Sequence, residues 1–136
     1  MLKAVIIDGN ATSRGLLQTI LVNNGWDVVG HTNTAVKGMQ LVQKFQPQFV
    51  CIDLQQVNDE ADMLEIIRHE WPKTLIFVIT SAIDADTAKN IIARGAHGFF
   101  LKPFNQATVA NTVRSAVLRL VNSQQSNGDN AKPASS

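Results

Sequence analysis

Phe49-Val50-Cys51-Ile52-Asp53 is a short apolar run closed by a carboxylate, preceded by Gln46-Pro47 and followed by a polar stretch. Three further runs share this design. Ala4-Val5-Ile6-Ile7 ends in Asp8, Leu75 to Ile79 ends in Thr80, and Phe99-Phe100-Leu101 is followed by Lys102-Pro103. Helix-like segments separate them, which is the pattern of βα units and a parallel sheet. Open α/β sheets carry their sites at the carboxyl ends of the strands. Asp8, Asp53, Thr80 and Lys102 are therefore expected in one crevice, a set suited to holding a phosphoryl group on a carboxylate.

Working outward from these runs, the chain reads β-α five times. The strand of about Leu2 to Ile7 precedes a helix opened by Thr12 or Ala11, with Leu16, Leu17, Ile20 and Leu21 at helical spacing and Asn24-Gly25 as the stop. A second strand, Trp26 to Gly30, leads to Thr34 as N-cap of a helix with Gly38, Leu41 and Phe45 on its buried face. After Phe49 to Ile52, a polar loop is expected, then a helix from about Glu60 to Trp71 with Leu64, Ile67 and Trp71 inward and Pro72 ending it. Leu75 to Ile79 follows. Asp84 or Asp86 caps the next helix, with Ala88, Ile91 and Ile92 inward and Gly95 closing it. The fifth strand is Gly98 to Leu101, and Asn105 caps a last helix striped by Val109, Val113, Ala116, Val117 and Leu120. The expected fold is a doubly wound, five-stranded parallel (βα)5 sheet.

A chain of 136 residues with 45% hydrophobic content is the size of one ordinary domain. Residues 1–121 are expected to form it. Residues 122–136 hold no large apolar side chain and are expected to be a disordered tail, either a solvated end or the start of a linker to an output domain. The net charge of +1 comes from interspersed Lys, Arg, Asp and Glu, with no block of like charge to favour nucleic acid or an anionic membrane. A single cysteine, Cys51, excludes an internal disulfide or a Cys-based zinc pattern and suits a reducing cytosol. Met1-Leu2-Lys3-Ala4 has no signal-peptide layout, and no apolar stretch approaches the ~20 residues of a membrane span. A soluble cytoplasmic protein is expected. His31, His69 and His97 sit on different elements without ligand spacing and read as surface or loop residues.

Phe100-Leu101-Lys102-Pro103-Phe104, Ile79-Thr80-Ser81 and Ile52-Asp53-Leu54, in this order and spacing, give the chain its resemblance to the receiver domain of two-component response regulators. The chain is similar over about Leu2 to Val121 to receivers of the chemotaxis kind, which have a flavodoxin-like fold. That resemblance implies Asp53 as phosphoacceptor, Thr80 as the hydroxyl that bonds the phosphoryl oxygen, and Lys102 as its cation, with Phe99 and Thr80 as the switch pair. It also implies Mg2+ held by Asp8, Asp53 and the backbone carbonyl of Gln55. The implied partners are a histidine kinase or phosphotransfer protein and a downstream effector, with a homodimer through the last helix as a further option. Arg114 and Arg119 could pair across such an interface or simply be solvated.

Two departures bear on this expectation. Receivers usually carry two adjacent acids after the first strand, and this chain has Asp8-Gly9, so one of two metal-binding carboxylates is missing and Mg2+ binding should be weakened. The segment after Asp53, Leu54 to Ala61, lacks the family's usual Pro and Gly and is one residue longer; its Asp59 and Glu60, with Asp62, could cap the next helix or lie close enough to repel an incoming phosphoryl group. Two readings stand: a phosphoacceptor switch, or a pseudo-receiver that binds a partner through the same surface without phosphate. An enzyme such as an aspartyl-phosphate phosphatase is disfavoured by Asn10, which stands where a second acid is required, and by the lack of length for a substrate-covering cap. A flavin-binding module is disfavoured by the absence of a phosphate loop after the first strand.

Overall fold

The computed structural model describes residues 1–60 and 62–130, with side chains described as far as Ser123. In chain order the elements are β1 (Lys3–Ile7), α1 (Ala11–Asn23), β2 (Asp27–Thr32), α2 (Ala35–Phe45), β3 (Phe49–Asp53), α3 (Leu54–Asp59), α4 (Met63–Glu70), β4 (Leu75–Thr80), α5 (Ala85–Arg94), β5 (Gly98–Leu101) and α6 (Gln106–Asn130). The strands form one parallel sheet in the order β2-β1-β3-β4-β5. Chain direction across the sheet reverses between β1 and β3, the position where doubly wound sheets open a crevice. Register then fixes the site. Ile7 pairs with Ile52, Asp53 with Ile79 and Thr80 with Leu101, so Asp8, Asp53, Thr80 and Lys102 all fall within a residue of the same sheet edge.

The two-residue side-chain period of a strand divides the core into two layers. Val5, Ile7, Val50, Ile52, Ile76 and Val78 face α2, α4 and α5, through Val42, Leu64, Ile67 and Ile91. Ala4, Ile6, Phe49, Cys51, Phe77, Ile79 and Phe100 face α1 and α6, through Leu17, Leu21, Val109 and Val113. On that second face Trp26, Phe49, Phe77 and Phe100 form a row across the sheet, with successive centroids 5.7, 5.7 and 4.9 Å apart. Gly38 brings α2 against the sheet: a Cβ there would collide with the side chain of Ile7. That contact holds the N-terminal end of α2 beside the carboxyl ends of β1 and β3.

The structure departs from the sequence reading at several places. Residues 54–59, expected as loop, form α3, and the following helix starts at Met63 rather than Glu60. A six-residue helix with one fully buried side chain, Val57, has no apolar period to read. β2 runs on to Thr32, which pairs with Ile7. Asp84 rather than Asp86 caps α5, accepting from the backbone N–H of Thr87 at 2.7 Å. Ile92, expected inward, is exposed at the edge of a stripe centred on Ile91, and Leu16 is exposed beside the buried Leu17. α6 continues to Asn130, past the expected boundary at Val121; each further residue of an established helix adds a backbone hydrogen bond without a new nucleation cost. Residues 131–136 of the expected tail lie outside the described residues.

Candidate phosphoacceptor site

Asp53 is the last residue of β3 and the N-cap of α3. Both carboxylate oxygens are engaged: Oδ1 accepts from the backbone N–H of Gln56 at 2.9 Å, and Oδ2 from that of Gly9 at 2.8 Å. One donor on each oxygen holds the carboxylate in one orientation, and each oxygen keeps a second lone pair. Asp53 is 8% exposed, so it is shielded without being sealed.

Asp8 is deeper, at 1% exposure. Its Oδ1 accepts from the Asn10 backbone N–H at 2.9 Å, while Oδ2 has no hydrogen-bond donor and lies 3.5 Å from the Lys102 ammonium. Burial pushes the Asp8 carboxyl above its ordinary range, the Asn10 hydrogen bond and the charge of Lys102 draw it back, and the neighbouring Asp53 raises it. A buried carboxylate oxygen without a donor is costly, and a cation is the partner that would relieve it.

Lys102 follows β5, and its backbone N–H donates to the Thr80 carbonyl at 2.9 Å. The Lys102–Pro103 peptide is cis. The hydroxyl of Thr80 donates to the Ala82 carbonyl at 3.0 Å, so it is turned into its own loop. Phe99 is half-buried and packs against the core layer of α2, α4 and α5. Asp8, Gly9, Asp53, Gln55, Thr80 and Lys102 line one open cleft of about 590 Å³. Gln55 belongs to the first turn of α3, where carbonyls run along the axis toward the helix C-terminus, away from the capping Asp53. Among the described residues no third carboxylate, His or Cys joins Asp8 and Asp53 as a metal ligand.

Several residues of the site carry roles that spacing alone did not reveal. Gln56 lines the cleft, and its Oε1 accepts from the Ala35 N–H at 2.9 Å, tying α3 to the start of α2. The available signal was the capping-box spacing Asp53-Leu54-Gln55-Gln56. Asn10 caps α1, its Oδ1 accepting from Ser13 N–H at 2.9 Å. Arg14 donates to the Asp8 carbonyl at 2.7 Å. Arg114 stays exposed, with its guanidinium over the Trp26 ring at 5.9 Å and a 3.4 Å contact to Asn24. No described helix is long and apolar enough to cross a membrane.

Known proteins with this sequence pattern and fold agree with one another. The chain is 27% identical over 118 residues to the transcriptional regulatory protein LiaR of Bacillus subtilis, a match covering 85% of this chain and 56% of LiaR. It is 26% identical over 105 residues to a protein-glutamate methylesterase/protein-glutamine glutaminase of Halobacterium salinarum, covering 76% of this chain and 30% of that protein. The chain thus spans about half or less of the length of these relatives. The crystal structure of a response regulator from Thermotoga maritima superposes with a TM-score of 0.78 at 19% identity, covering 86% of this chain and 98% of that one. The model of the response regulator receiver domain matches residues 4–114. With most of its length inside that match, and with the five-stranded order and strand-end residues described above, the chain belongs to the response regulator receiver domain family.

Proposed function

We propose that this receiver domain works as a phosphoacceptor switch in two-component phosphorelay signalling, with Asp53 taking the phosphoryl group. The observation that carries this reading is the convergence, in one open cleft, of an oriented Asp53 carboxylate, the Lys102 ammonium and the Asp8 Oδ2, which has that ammonium nearby but no hydrogen-bond donor. A lone pair of Asp53 attacks phosphorus of a phosphohistidine. The O–P bond forms as the P–N bond breaks, and the imidazole nitrogen departs with the bonding pair and is protonated. The difficulty is charge, since a carboxylate meets an anionic donor, so orientation and neutralisation carry the catalysis. The hydrogen bonds from Gly9 and Gln56 supply the orientation, and Lys102 supplies positive charge.

A divalent cation fits beside these residues. Asp8 Oδ2 and Asp53 are the carboxylates for it, and Mg2+ is typically held by one or two carboxylates with water and phosphate. Mg2+ would neutralise phosphoryl oxygens during transfer. The Gln55 carbonyl could join only if the first turn of α3 opened, and Gly9 offers no side chain, so binding should be weak. Once Asp53 carries phosphate, Thr80 turns from Ala82 to donate to a phosphoryl oxygen, moving the loop before α5. Phe99 then follows into the space vacated, and the surface of α5, β5 and α6 changes for an effector.

The donor is a histidine kinase or phosphotransfer protein. The chain acts as a phosphoacceptor rather than as an enzyme on a separate substrate, in the cytoplasm, where the buried free thiol of Cys51 stays reduced. The test is intact mass after incubation with a small phosphodonor, with and without Mg2+, beside Asp53→Ala. A gain of one phosphoryl mass that depends on Mg2+ and vanishes in the variant is expected. No gain at high Mg2+ would favour a pseudo-receiver that works without phosphate.

A further inference from the structure

At the opposite end of the sheet from Asp53, a cleft of about 320 Å³ opens between α4, the start of β5 and α6. His97 is among the residues that line it. The His97 backbone N–H donates to the Ile76 carbonyl at 2.7 Å, and the His97 Nδ1 accepts from the Ile76 N–H at 3.0 Å. An Nδ1 that accepts from an amide carries no proton, so in the neutral ring the hydrogen sits on Nε2 and the ring presents a donor.

Two arginines share the cleft with this donor. Arg68 of α4 lays its stem over Gly95, where an added Cβ would sit 2.9 Å from Arg68 Cδ. Arg119 of α6 reaches the His97 carbonyl at 3.5 Å. Both arginines line the cleft with Thr74 and Ser123, and none of its lining residues is acidic. Among the described residues neither guanidinium forms an ion pair. Burial, then the charges of Arg68 and Arg119, hold the His97 imidazole below its ordinary pKa, which agrees with a positive field that no local carboxylate cancels.

We propose that Arg68, Arg119 and His97 form an anion site for a phosphate group, separate from the Asp53 cleft. Guanidinium forks match phosphate oxygens in pairs, and two forks plus an imidazole N–H offer more donors than the two oxygens of a carboxylate can use. A bound phosphate would tie α4 to α6 across the amino ends of β4 and β5. Free phosphate and the terminal phosphate of a small metabolite share this chemistry.

The test follows the His97 Cε1–H resonance of the full chain by NMR during titration with inorganic phosphate and with pyrophosphate, against chloride at matched ionic strength. The expected result is a saturable shift, a His97 pKa that rises as phosphate binds, and an affinity about tenfold weaker for each of Arg68→Ala and Arg119→Ala. Tighter binding of pyrophosphate than phosphate would point to a phosphorylated metabolite, and the reverse to the free ion. Asp53→Ala should leave the titration unchanged, which separates this site from phosphate in the other cleft. A linear response equal to that of chloride, binding that survives both arginine substitutions, or binding abolished only by Asp53→Ala would overturn the proposal. Circular dichroism of the exposed-arginine variants checks that each remains folded.

Discussion

Replacing Gly9 with Asp should make the domain less stable without metal and more responsive to Mg2+. An added Cβ would lie 3.6 Å from Gln56 Nε2 and 3.8 Å from Asp53 Oδ2, ordinary contact distances. The backbone need not move, and the Gly9 N–H that serves Asp53 is kept. The new carboxylate would stand roughly 5 Å from that of Asp53, where two charges at an effective dielectric of about 20 repel by about 3 kcal/mol. Asp8, with its Oδ2 held near Lys102, adds to the negative field. For a domain of this size each kcal/mol moves the midpoint by about 3–4 °C, so Tm should fall by about 10 °C in chelator. Mg2+ at a hundred times its Kd returns about 2.7 kcal/mol, nearly the whole loss. The native chain, with one carboxylate fewer, should need roughly 10–100-fold more Mg2+ for the same stabilisation. Thermal denaturation of both proteins across a Mg2+ series checks this. If Gly9→Asp matched the native Tm in chelator, or if the two proteins responded equally to Mg2+, the account of this site would be wrong.

Lys102→Met should leave the buried Asp8 carboxylate without its cation and cost about 2 kcal/mol at neutral pH in urea unfolding. Because the folded-state pKa of Asp8 is raised, its favourable contribution is complete below the unfolded pKa and is lost as pH rises through the folded one. The deficit of Lys102→Met should therefore vanish in acid and grow toward neutrality, and a deficit independent of pH would refute the pairing. At Asp53, Asn keeps an acceptor for the Gln56 N–H and Ala does not. Asp53→Asn should be more stable than Asp53→Ala by about 1 kcal/mol while neither incorporates phosphate, and equal urea midpoints would exclude the capping role.

The sheet was legible because its four central and edge runs are continuously apolar and end in polar residues, so their alternation with helical spacing determines both topology and strand ends. Asp8, Asp53, Thr80 and Lys102 were legible for the same reason: each is the first polar residue after an apolar run, closing its strand or following it, and parallel register aligns those positions. α3 was not. A helix of six residues that buries only Val57 completely leaves no periodic trace, and its cap, Asp53, already had a chemical reading that obscured the structural one. Gln56 was missed because its partner, the Ala35 N–H, is 21 residues away. The placing of Arg114 over Trp26 likewise depends on α6 meeting the segment between α1 and β2.

The bond from Ala35 N–H to Gln56 Oε1 means that one of the first amides of α2 is protected by a side chain of another helix. Amides in a first helical turn have no carbonyl of their own helix to shield them. The exchange of the Ala35 hydrogen with solvent is thus governed by how often α3 lets go of it, while the amides beyond the first turn of α2 exchange as that helix itself opens. One backbone position far from the cleft in sequence becomes a clock for the looseness of the segment that orients Asp53, readable without any probe placed in the site.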